Sequence, residues 1–402
     1  MKNELYCQTC NQETIIKNGK SKDGEQRYLC TSCGSHKTPY RSDDIELLTE
    51  NVKLAKKEQR NKDTNRIERK AFREYARIDN ALSEYNHGLT EALGKYDLSK
   101  FTIYHEADGD KSCGVVNLSD LHLNELVSLA HNKHDFPNAA KRLKKLATKT
   151  KKYFGAFGIK NVLIADTGDK LNSDRRLDEL LNQATNRSNA TILSAYLLQQ
   201  FIIDLNEDFN ISYACVTGNE SRAKDEPGFS DILATDNYDF TIFNILRMLF
   251  RDCKGVNFVI GDPSDLVVNV AGQHWLLLHG ESISKDVESS VQKIKGKYAS
   301  RGILIDYIIF GHIHSARISD QYGRGSSLVG DNDYSDKALQ LSGRASQNIY
   351  IAYENGNRDG IKIDLQNAED VKGYDIIKEL EAYNAKSASK LHHKSTVFEV
   401  VI

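Results

Sequence analysis

Five short apolar runs organise the middle of the chain, and polar side chains follow each of them. The runs are CGVVNLSDLH, NVLIADTGD, ISYACVTGNE, HWLLLHG and IDYIIFGHIH, all between residues 104 and 365. Short apolar runs that end in turn residues are typical of buried strands. Helical patterns between the first three, at about 139–154 and 177–205, predict an α/β architecture. Because ligands in such folds gather at the carboxyl ends of strands, the polar residues point to one shared site.

The pattern continues beyond these runs. Asn348–Tyr353 and Gly360–Asp364 predict a hairpin, Val371–Tyr383 a helix and Val397–Ile402 a closing strand. We expect these elements to complete or edge the main domain.

Four of the seven cysteines form two C-x2-C pairs near the N-terminus. Cys7 and Cys10 are the first pair, and Cys30 and Cys33 are the second. Four thiolates at this spacing predict one structural zinc ion in a small ribbon. The stretch CQTCNQETIIKNGKSKDGEQRYLCTSC resembles the N-terminal zinc ribbons of insertion-sequence transposases, and that resemblance implies contact with nucleic acid.

A basic, helical stretch follows the ribbon. Between Lys53 and Arg77 there are ten Lys and Arg against four Asp and Glu, so 10 − 4 = +6. Such a run is either a solvated helix face or a surface for the phosphate backbone, and the neighbouring ribbon favours the second. The candidate contacts on it are Arg66, Arg69, Lys70 and Arg73.

Composition sets the limits of these predictions. A chain of 402 residues allows two or three domains, and we predict a ribbon over 1–42, a basic helical segment over 43–103 and a main domain over 104–402. With 40% hydrophobic and 27% charged residues, a large core is expected. No apolar run reaches about 18 residues, so we expect no membrane contact. The sparse cysteines and the polar N-terminus indicate a reducing cytoplasm.

The polar residues after the five strands are types that bind metal ions. They are Asp120 and His122, Asp169, Asn219, His279, and His312 with His314. This set of oxygen and nitrogen donors suits two borderline divalent ions such as manganese, zinc or iron, with magnesium an alternative. Each motif is weak alone, but five in one order predict a metal centre.

These five motifs resemble those of the calcineurin-like metallophosphoesterase superfamily: D-x-H, G-D, G-N-H/E, H and G-H-x-H. The resemblance implies a double-ψ β-sandwich flanked by helices, with two metal ions. Asp120, His122 and His314 would hold one ion, and Asn219, His279 and His312 the other. Asp169 would bridge both, and hydroxide between the ions would attack in line. Asp169 and His279 thus belong to the predicted catalytic set.

Within the superfamily, the stretches TGDKLNSDRR, DLVVNVAGQHWLLLHGE and LQLSGRASQNIYI resemble phage-encoded members and, more distantly, SbcD-type repair nucleases. A phage origin would place the protein in the host cytoplasm. The third motif departs from the nuclease pattern, because Glu220 replaces a histidine that assists the leaving group. Glu220 would be a general acid, or it would orient the metal ligands. Arg175, Arg176 and Arg222 are candidate phosphate contacts.

Three functions fit these patterns. The first is a metal-dependent phosphodiesterase acting on nucleic acid, a DNA exonuclease or endonuclease. The second is a phosphodiesterase for cyclic or linear nucleotides, with the ribbon used for assembly. The third is a DNA-binding protein whose metal site is vestigial. A homodimer is compatible with each of them.

Overall fold

The computed structural model describes residues 5–41, 53–59, 62, 66, 98, 102–105, 111–224, 231–333, 335–336 and 342–381. The chain forms two compact units, Met1–Asn86 and His87–Ile402. The boundaries at 42 and 103 stay predictions. The predicted strand Val397–Ile402 and the side chains of Arg69, Lys70 and Arg73 lie outside the described residues.

The first unit contains a small β-structure that carries the cysteines. Strands β1 (Leu5–Tyr6) and β4 (Tyr40–Arg41) pair antiparallel, and β2 (Ile15–Lys20) forms a hairpin with β3 (Gln26–Cys30). Residues 53–59 are helical and exposed, as are Lys62 and Arg66. The helical expectation holds at these positions, whereas the described residues 102–103 at the end of the predicted segment are not helical.

A six-stranded sheet is the centre of the second unit, with strand order β10-β9-β8-β5-β16-β17. Its strands are β5 (Ser112–Leu118), β8 (Asn161–Asp166), β9 (Asn210–Cys215), β10 (Val256–Val259), β16 (Ser346–Tyr353) and β17 (Arg358–Asp364). The first four are parallel, and the β16–β17 hairpin adds antiparallel to β5. The hairpin agrees with the sequence prediction.

A five-stranded sheet, ordered β11-β12-β13-β15-β14, faces the first. Its strands are β11 (Asp265–Val270), β12 (Gln273–Leu278), β13 (Tyr307–Phe310), β14 (Arg317–Ile318) and β15 (Tyr322–Arg324). Strands β12, β13 and β15 are parallel. A short hairpin, β6 (Val127–Ser128) and β7 (Lys133–His134), lies apart from both sheets.

The described helices of the second unit are α1 (Phe136–Ala156), α2 (Leu177–Leu181), α3 (Arg187–Asn206), α4 (Asp231–Thr235), α5 (Tyr238–Leu249), α6 (Val287–Ala299) and α7 (Lys378–Glu381). The longer ones cover the outer faces of the two sheets. Helices α1, α3 and α5 pack on the six-stranded sheet in one core cluster. Helix α6 packs on the five-stranded sheet through Val287, Val291 and Tyr298. The layers therefore run helix, sheet, sheet, helix.

A separate apolar cluster fills the space between the sheets. Val115 and Leu163 of the larger sheet meet Trp275, Leu277 and Tyr307 of the smaller one. Burial of this cluster aligns the carboxyl ends of the parallel strands of both sheets. The structure confirms the predicted fold class, a mixed α/β sandwich flanked by helices. Among the described helices, none combines the length and apolarity needed to cross a bilayer.

Two helix predictions are wrong in detail. The stretch 177–205 is two helices, because Asn186 caps a new one and accepts from the amide of Asn189. In 371–383, the described residues are helical only from Lys378. Tertiary contacts hold the preceding residues out of a helix: the backbone of Asp375 exchanges hydrogen bonds with the side chain of Gln200.

The buried Asp204 on α3 gives a test of this packing. Its carboxylate accepts from Lys144 Nζ at 2.8 Å, Lys151 Nζ at 2.9 Å and the Tyr374 hydroxyl at 2.6 Å. Burial acts to raise the pKa of Asp204, but these donors outweigh it and lower the pKa. We expect Asp204→Asn to reduce the free energy of unfolding at pH 7 by about 1–3 kcal/mol.

The pH dependence follows from the sign of that shift. A carboxyl with a lowered folded pKa stabilises the fold fully above its unfolded pKa, about 3.9, and loses that effect as pH falls through the folded value. The difference between wild type and Asp204→Asn should therefore narrow below about pH 4. Urea unfolding of both proteins at pH 7 and at lower pH measures this difference in the free energy of unfolding. A difference that stays constant with pH would contradict a lowered pKa for Asp204.

Candidate metal centre

The seven predicted metal-binding residues follow the carboxyl ends of five strands. Asp120 and His122 follow β5, Asp169 follows β8 and Asn219 follows β9, all in the six-stranded sheet. From the five-stranded sheet, His279 follows β12, and His312 and His314 follow β13. Because the two sheets face each other, these loops meet at one edge of the sandwich.

Hydrogen bonds join the loops to one another. The amides of Asp120 and His122 donate to the carbonyls of Gly168 and Asp169 at 3.1 and 3.0 Å. The amide of His312 donates to both oxygens of the Asp120 carboxylate, each at 3.0 Å. A loop of one sheet is thus fixed to a loop of the other.

Five of these residues have an unusual backbone conformation. The angle φ is positive at Asp120 (48°), His122 (38°), Asp169 (57°), His312 (68°) and His314 (55°). Among the described residues, only two others that are not glycine share it, Asn11 and Ala271. The left-handed region costs an L-residue roughly 1–2 kcal/mol. Such strain clusters at functional sites, where surrounding contacts impose it.

Two glycines allow the closest approach between loops. Gly168 has φ +90°, and a Cβ there would collide with the backbone of Gly218. A Cβ on Gly218 would collide with the carboxylate and the amide of Asp169. Glycine therefore precedes Asp169 and Asn219 because the two loops touch through their backbones.

The ligand atoms gather in two adjacent groups. Asp120, His122 and His314 form one, and Asp169, His279 and His312 form the other, each with its donor atoms within 4.8 Å of one another. In the first group, His122 Nε2 and His314 Nε2 are 3.2 Å apart, and His314 Nε2 is 3.4 Å from Asp120 Oδ1. In the second, His279 Nε2 is 3.2 Å from His312 Nδ1 and 3.1 Å from Asp169 Oδ2. Asn219 Oδ1 lies 2.8 Å from His279 Nε2 and extends this second group.

The donor atoms fit a divalent ion in each group. Tetrahedral ligands at 2.0–2.1 Å from a zinc ion lie about 3.3 Å apart, close to the nitrogen–nitrogen separations seen here. Oxygen and imidazole donors suit manganese, iron or zinc. The ring of His279 is also oriented as a metal ligand requires, because its Nδ1 lies 2.8 Å from the carbonyl of Thr167 and its Nε2 faces the group.

Each carboxylate of the centre shifts the pKa of the histidine that it faces. Burial acts to lower the pKa of His279, but the facing Asp169 carboxylate raises it to about 10. Burial acts to raise the pKa of Asp169, yet His279 holds it well below the usual range. Asp120 and His314 have the same relation, with the pKa of the acid lowered and that of the histidine raised. Both carboxylates are therefore ionised at neutral pH, which metal ligation requires.

Hydrogen bonds hold Glu220 against the second ligand group. Its amide donates to Asp169 Oδ1 at 2.7 Å, and its Oε1 accepts from Asn219 Nδ2 at 2.8 Å. This second contact leaves the Asn219 oxygen facing His279. Glu220 therefore fixes the orientation of the Asn219 side chain, while its roles in metal binding and as a general acid stay predictions.

The three arginines near the centre pair with protein carboxylates. Arg175 Nη2 is 3.5 Å from Glu220 Oε2 and 3.0 Å from the carbonyl of Asn219. Arg176 is 3.4 Å from Glu179, and Arg222 pairs with Glu281. All three line an open cleft with Asn219, Glu220 and His312. They lie beside the candidate metal ligands, and phosphate contact stays a prediction.

The four N-terminal cysteines converge as their spacing predicts. Cys7 Sγ is 3.6 Å from Cys33 Sγ, and Cys10 Sγ is 3.5 Å from Cys30 Sγ. All four sulfurs lie within 4.8 Å of one another. Tetrahedral thiolates at about 2.3 Å from zinc lie about 3.8 Å apart, so the cluster fits one structural zinc ion.

Asp239, at the start of α5, also contacts the centre and could not be identified from the sequence motifs. Its carboxylate accepts from the amides of Asp169 and Gly218, both at 2.9 Å. Asp239 belongs to none of the five motifs. The only sequence signal is its place beside Asn237, whose side chain caps α5.

Comparisons with known proteins show structural likeness alone. The chain matches no protein-family model and no curated protein sequence. Vacuolar Protein Sorting 29 from Cryptosporidium parvum is 14% identical, over 64% of this chain and 100% of that chain, with a TM-score of 0.31. A predicted phosphoesterase from Streptococcus pneumoniae is 12% identical, over 63% and 100%, with a TM-score of 0.26. The sulfate thiohydrolase SoxB from Thermus thermophilus is 12% identical, over 71% and 62%, with a TM-score of 0.32.

The two kinds of metal site should be separable by mutation. Asp169→Asn weakens one donor group and removes a buried negative charge, so we expect it to lower the content of active-site metal and leave the zinc. Cys30→Ser should release the zinc and leave the active-site metal. Elemental analysis after dialysis measures both. Equal loss of every metal in either variant would contradict two independent sites.

Proposed function

We propose that this protein is a two-metal-dependent phosphodiesterase that hydrolyses nucleic acid, as a DNA exonuclease or endonuclease. The observation that carries the proposal is the pair of ligand groups at the shared edge of the two sheets. Donors in the left-handed conformation, buried carboxylates and an oriented histidine together favour a built metal centre over chance clustering.

The two donor groups support the ligand assignment that we propose. Asp120, His122 and His314 would hold one ion, Asn219, His279 and His312 would hold the other, and Asp169 would contribute to both. Two divalent ions about 3.5–4 Å apart lower the pKa of water toward 7 and stabilise charge on the attacking and leaving oxygens of a phosphoryl displacement. Manganese is the ion we propose first, with zinc, iron and magnesium as alternatives.

The protein side chains supply orientation around that chemistry. Asp169 fixes the loop of Asn219 by accepting the amide of Glu220, and Thr167 fixes the ring of His279. Arg222 and Arg175 line the cleft beside His312, where they would exchange their carboxylate partners for a phosphate. Glu220 lines the same cleft, where as a general acid it would protonate the leaving group.

The nucleic-acid substrate is supported by the first unit. Residues 5–41 carry six Lys and Arg against three Asp and Glu, so 6 − 3 = +3. Lys17, Lys20, Lys22 and Arg27 are exposed on or near the β2–β3 hairpin. The stretch Lys53–Arg77, which follows the ribbon, carries a net charge of +6. Local cationic surface of this kind binds phosphate backbones, although the whole chain has a net charge of −2.

Parallel assays of DNA and a small substrate test this proposal. Wild type with manganese should cleave plasmid or single-stranded DNA and an aryl phosphodiester. Replacing Arg66, Arg69, Lys70 and Arg73 with Gln should spare the small substrate and weaken DNA cleavage. Each lost phosphate contact should reduce the log–log salt slope of DNA binding by about 0.7–0.9.

A matched control removes four exposed lysines elsewhere, at Lys149, Lys152, Lys285 and Lys293. These positions lie outside residues 1–103, so this variant should keep DNA cleavage and the salt slope. Unchanged DNA affinity in the first variant would refute binding by the basic segment. Activity on nucleotides alone would favour the small-molecule phosphodiesterase.

The role of Glu220 depends on the leaving group. If its carboxyl donates a proton, Glu220→Gln should slow a substrate with an alkoxide leaving group at least tenfold and an aryl substrate much less. Steady-state rates on both, with metal content measured in parallel, decide it. An equal loss on the two substrates, with less bound metal, would make Glu220 an orienting residue.

A further inference from the structure

Asp239 has a fully buried carboxylate with an unusual set of donors. Its Oδ2 accepts from the backbone amides of Asp169 and Gly218, and its Oδ1 accepts from the amide of Lys170, all at 2.9 Å. Its exposure is 0%. Three backbone donors from two different loops thus converge on one side chain.

The loops that Asp239 joins are those that carry metal-ligand candidates. Asp169 lies on the loop after β8, and Asn219 directly follows Gly218 on the loop after β9. These loops come from neighbouring parallel strands, so the carboxylate spans the gap between them. It binds backbone atoms and leaves the Asp169 carboxylate and the Asn219 amide free to face His279.

The start of α5 adds a second link to the same loop. Asn237 accepts the amide of Asp239 at 2.8 Å and donates through Nδ2 to the carbonyl of Gly218 at 2.9 Å. The amide of Tyr238 donates to the carbonyl of Ser221 at 2.9 Å. Helix α5 therefore presents Asp239 from a fixed position.

An ion pair with Lys170 explains the position of the buried Asp239 carboxylate less well than the loop amides do. Lys170 Nζ is 3.7 Å from Asp239 Oδ1 but 2.7 Å from Asp166 Oδ2. Lys170 thus pairs mainly with Asp166, and the shorter contacts of Asp239 are to the loop amides. An anionic acceptor binds amides more strongly than a neutral one does.

We propose that Asp239 is a positioning residue of the metal centre, which holds Asp169 and Asn219 at the separation that one divalent ion requires. The inference rests on the metal centre of the proposed function and does not depend on the substrate. It predicts a loss of metal affinity without loss of any metal ligand.

Manganese binding to the full-length protein tests the proposal. In Asp239→Asn, either orientation of the amide places an NH2 group against a backbone N–H donor. We expect manganese affinity, measured by calorimetry on metal-free protein, to fall 10–100-fold, as changes beside metal ligands do. Hydrogen exchange at the amides of Asp169, Lys170 and Gly218 should accelerate.

Asp204→Asn is the matched control, since it also removes a buried, hydrogen-bonded carboxylate. It should lower the melting temperature while leaving manganese affinity unchanged. Wild-type manganese affinity in Asp239→Asn would overturn the positioning role. An equal loss of manganese affinity in Asp204→Asn would also overturn it, if the two variants have the same stability. If wild type itself bound no manganese, the metal centre of the proposed function would fail instead.

A second variant keeps the proposal testable if Asp239→Asn does not fold. Asn237→Ser retains an oxygen that caps α5 but removes the donor to the Gly218 carbonyl. We expect a smaller loss of manganese affinity in the same direction, with faster exchange at Gly218. Unchanged affinity and exchange would overturn the inference.

Discussion

The backbone contact between the loops after β8 and β9 is the constraint on which the metal centre depends. With Gly168 against Gly218 there is no room for a side chain, so only glycine at both positions allows the two loops to approach this closely. That spacing brings the Asp169 carboxylate to the amide of Glu220 and, through Asn219, toward His279. The remaining ligands reach the same point because the sheets are aligned by their shared core.

The sequence predicted the five strands that precede the candidate ligands, their order along the chain and all seven candidate ligands, because these features are local. An apolar run that ends in Asp, Asn or His is visible without any tertiary knowledge. The parallel pairing of β5, β8 and β9 then follows from the helices between them.

Features set by distant contacts could not be predicted. Asp239 lies 70 residues from Asp169, with which it shares a hydrogen bond, and no spacing rule connects them. The carboxylate partners of the arginines were also not predictable from the sequence. Arg222 pairs with Glu281 only because the fold brings the two residues together. The stretch before Lys378 has helical periodicity, but bonds to Gln200 hold it in another conformation.

Each ligand group draws its members from both halves of the sandwich. Asp120 and His122 come from the larger sheet and His314 from the smaller, while Asp169 comes from the larger and His279 and His312 from the smaller. An ion bound to either group would therefore act as a crosslink between the sheets, in addition to any catalytic role. If both groups bind ions, a chelator would remove this crosslink and make that edge of the sandwich less resistant to heat. The left-handed loop conformations lower the stability of the fold, and ion binding to the folded state would offset that free-energy cost.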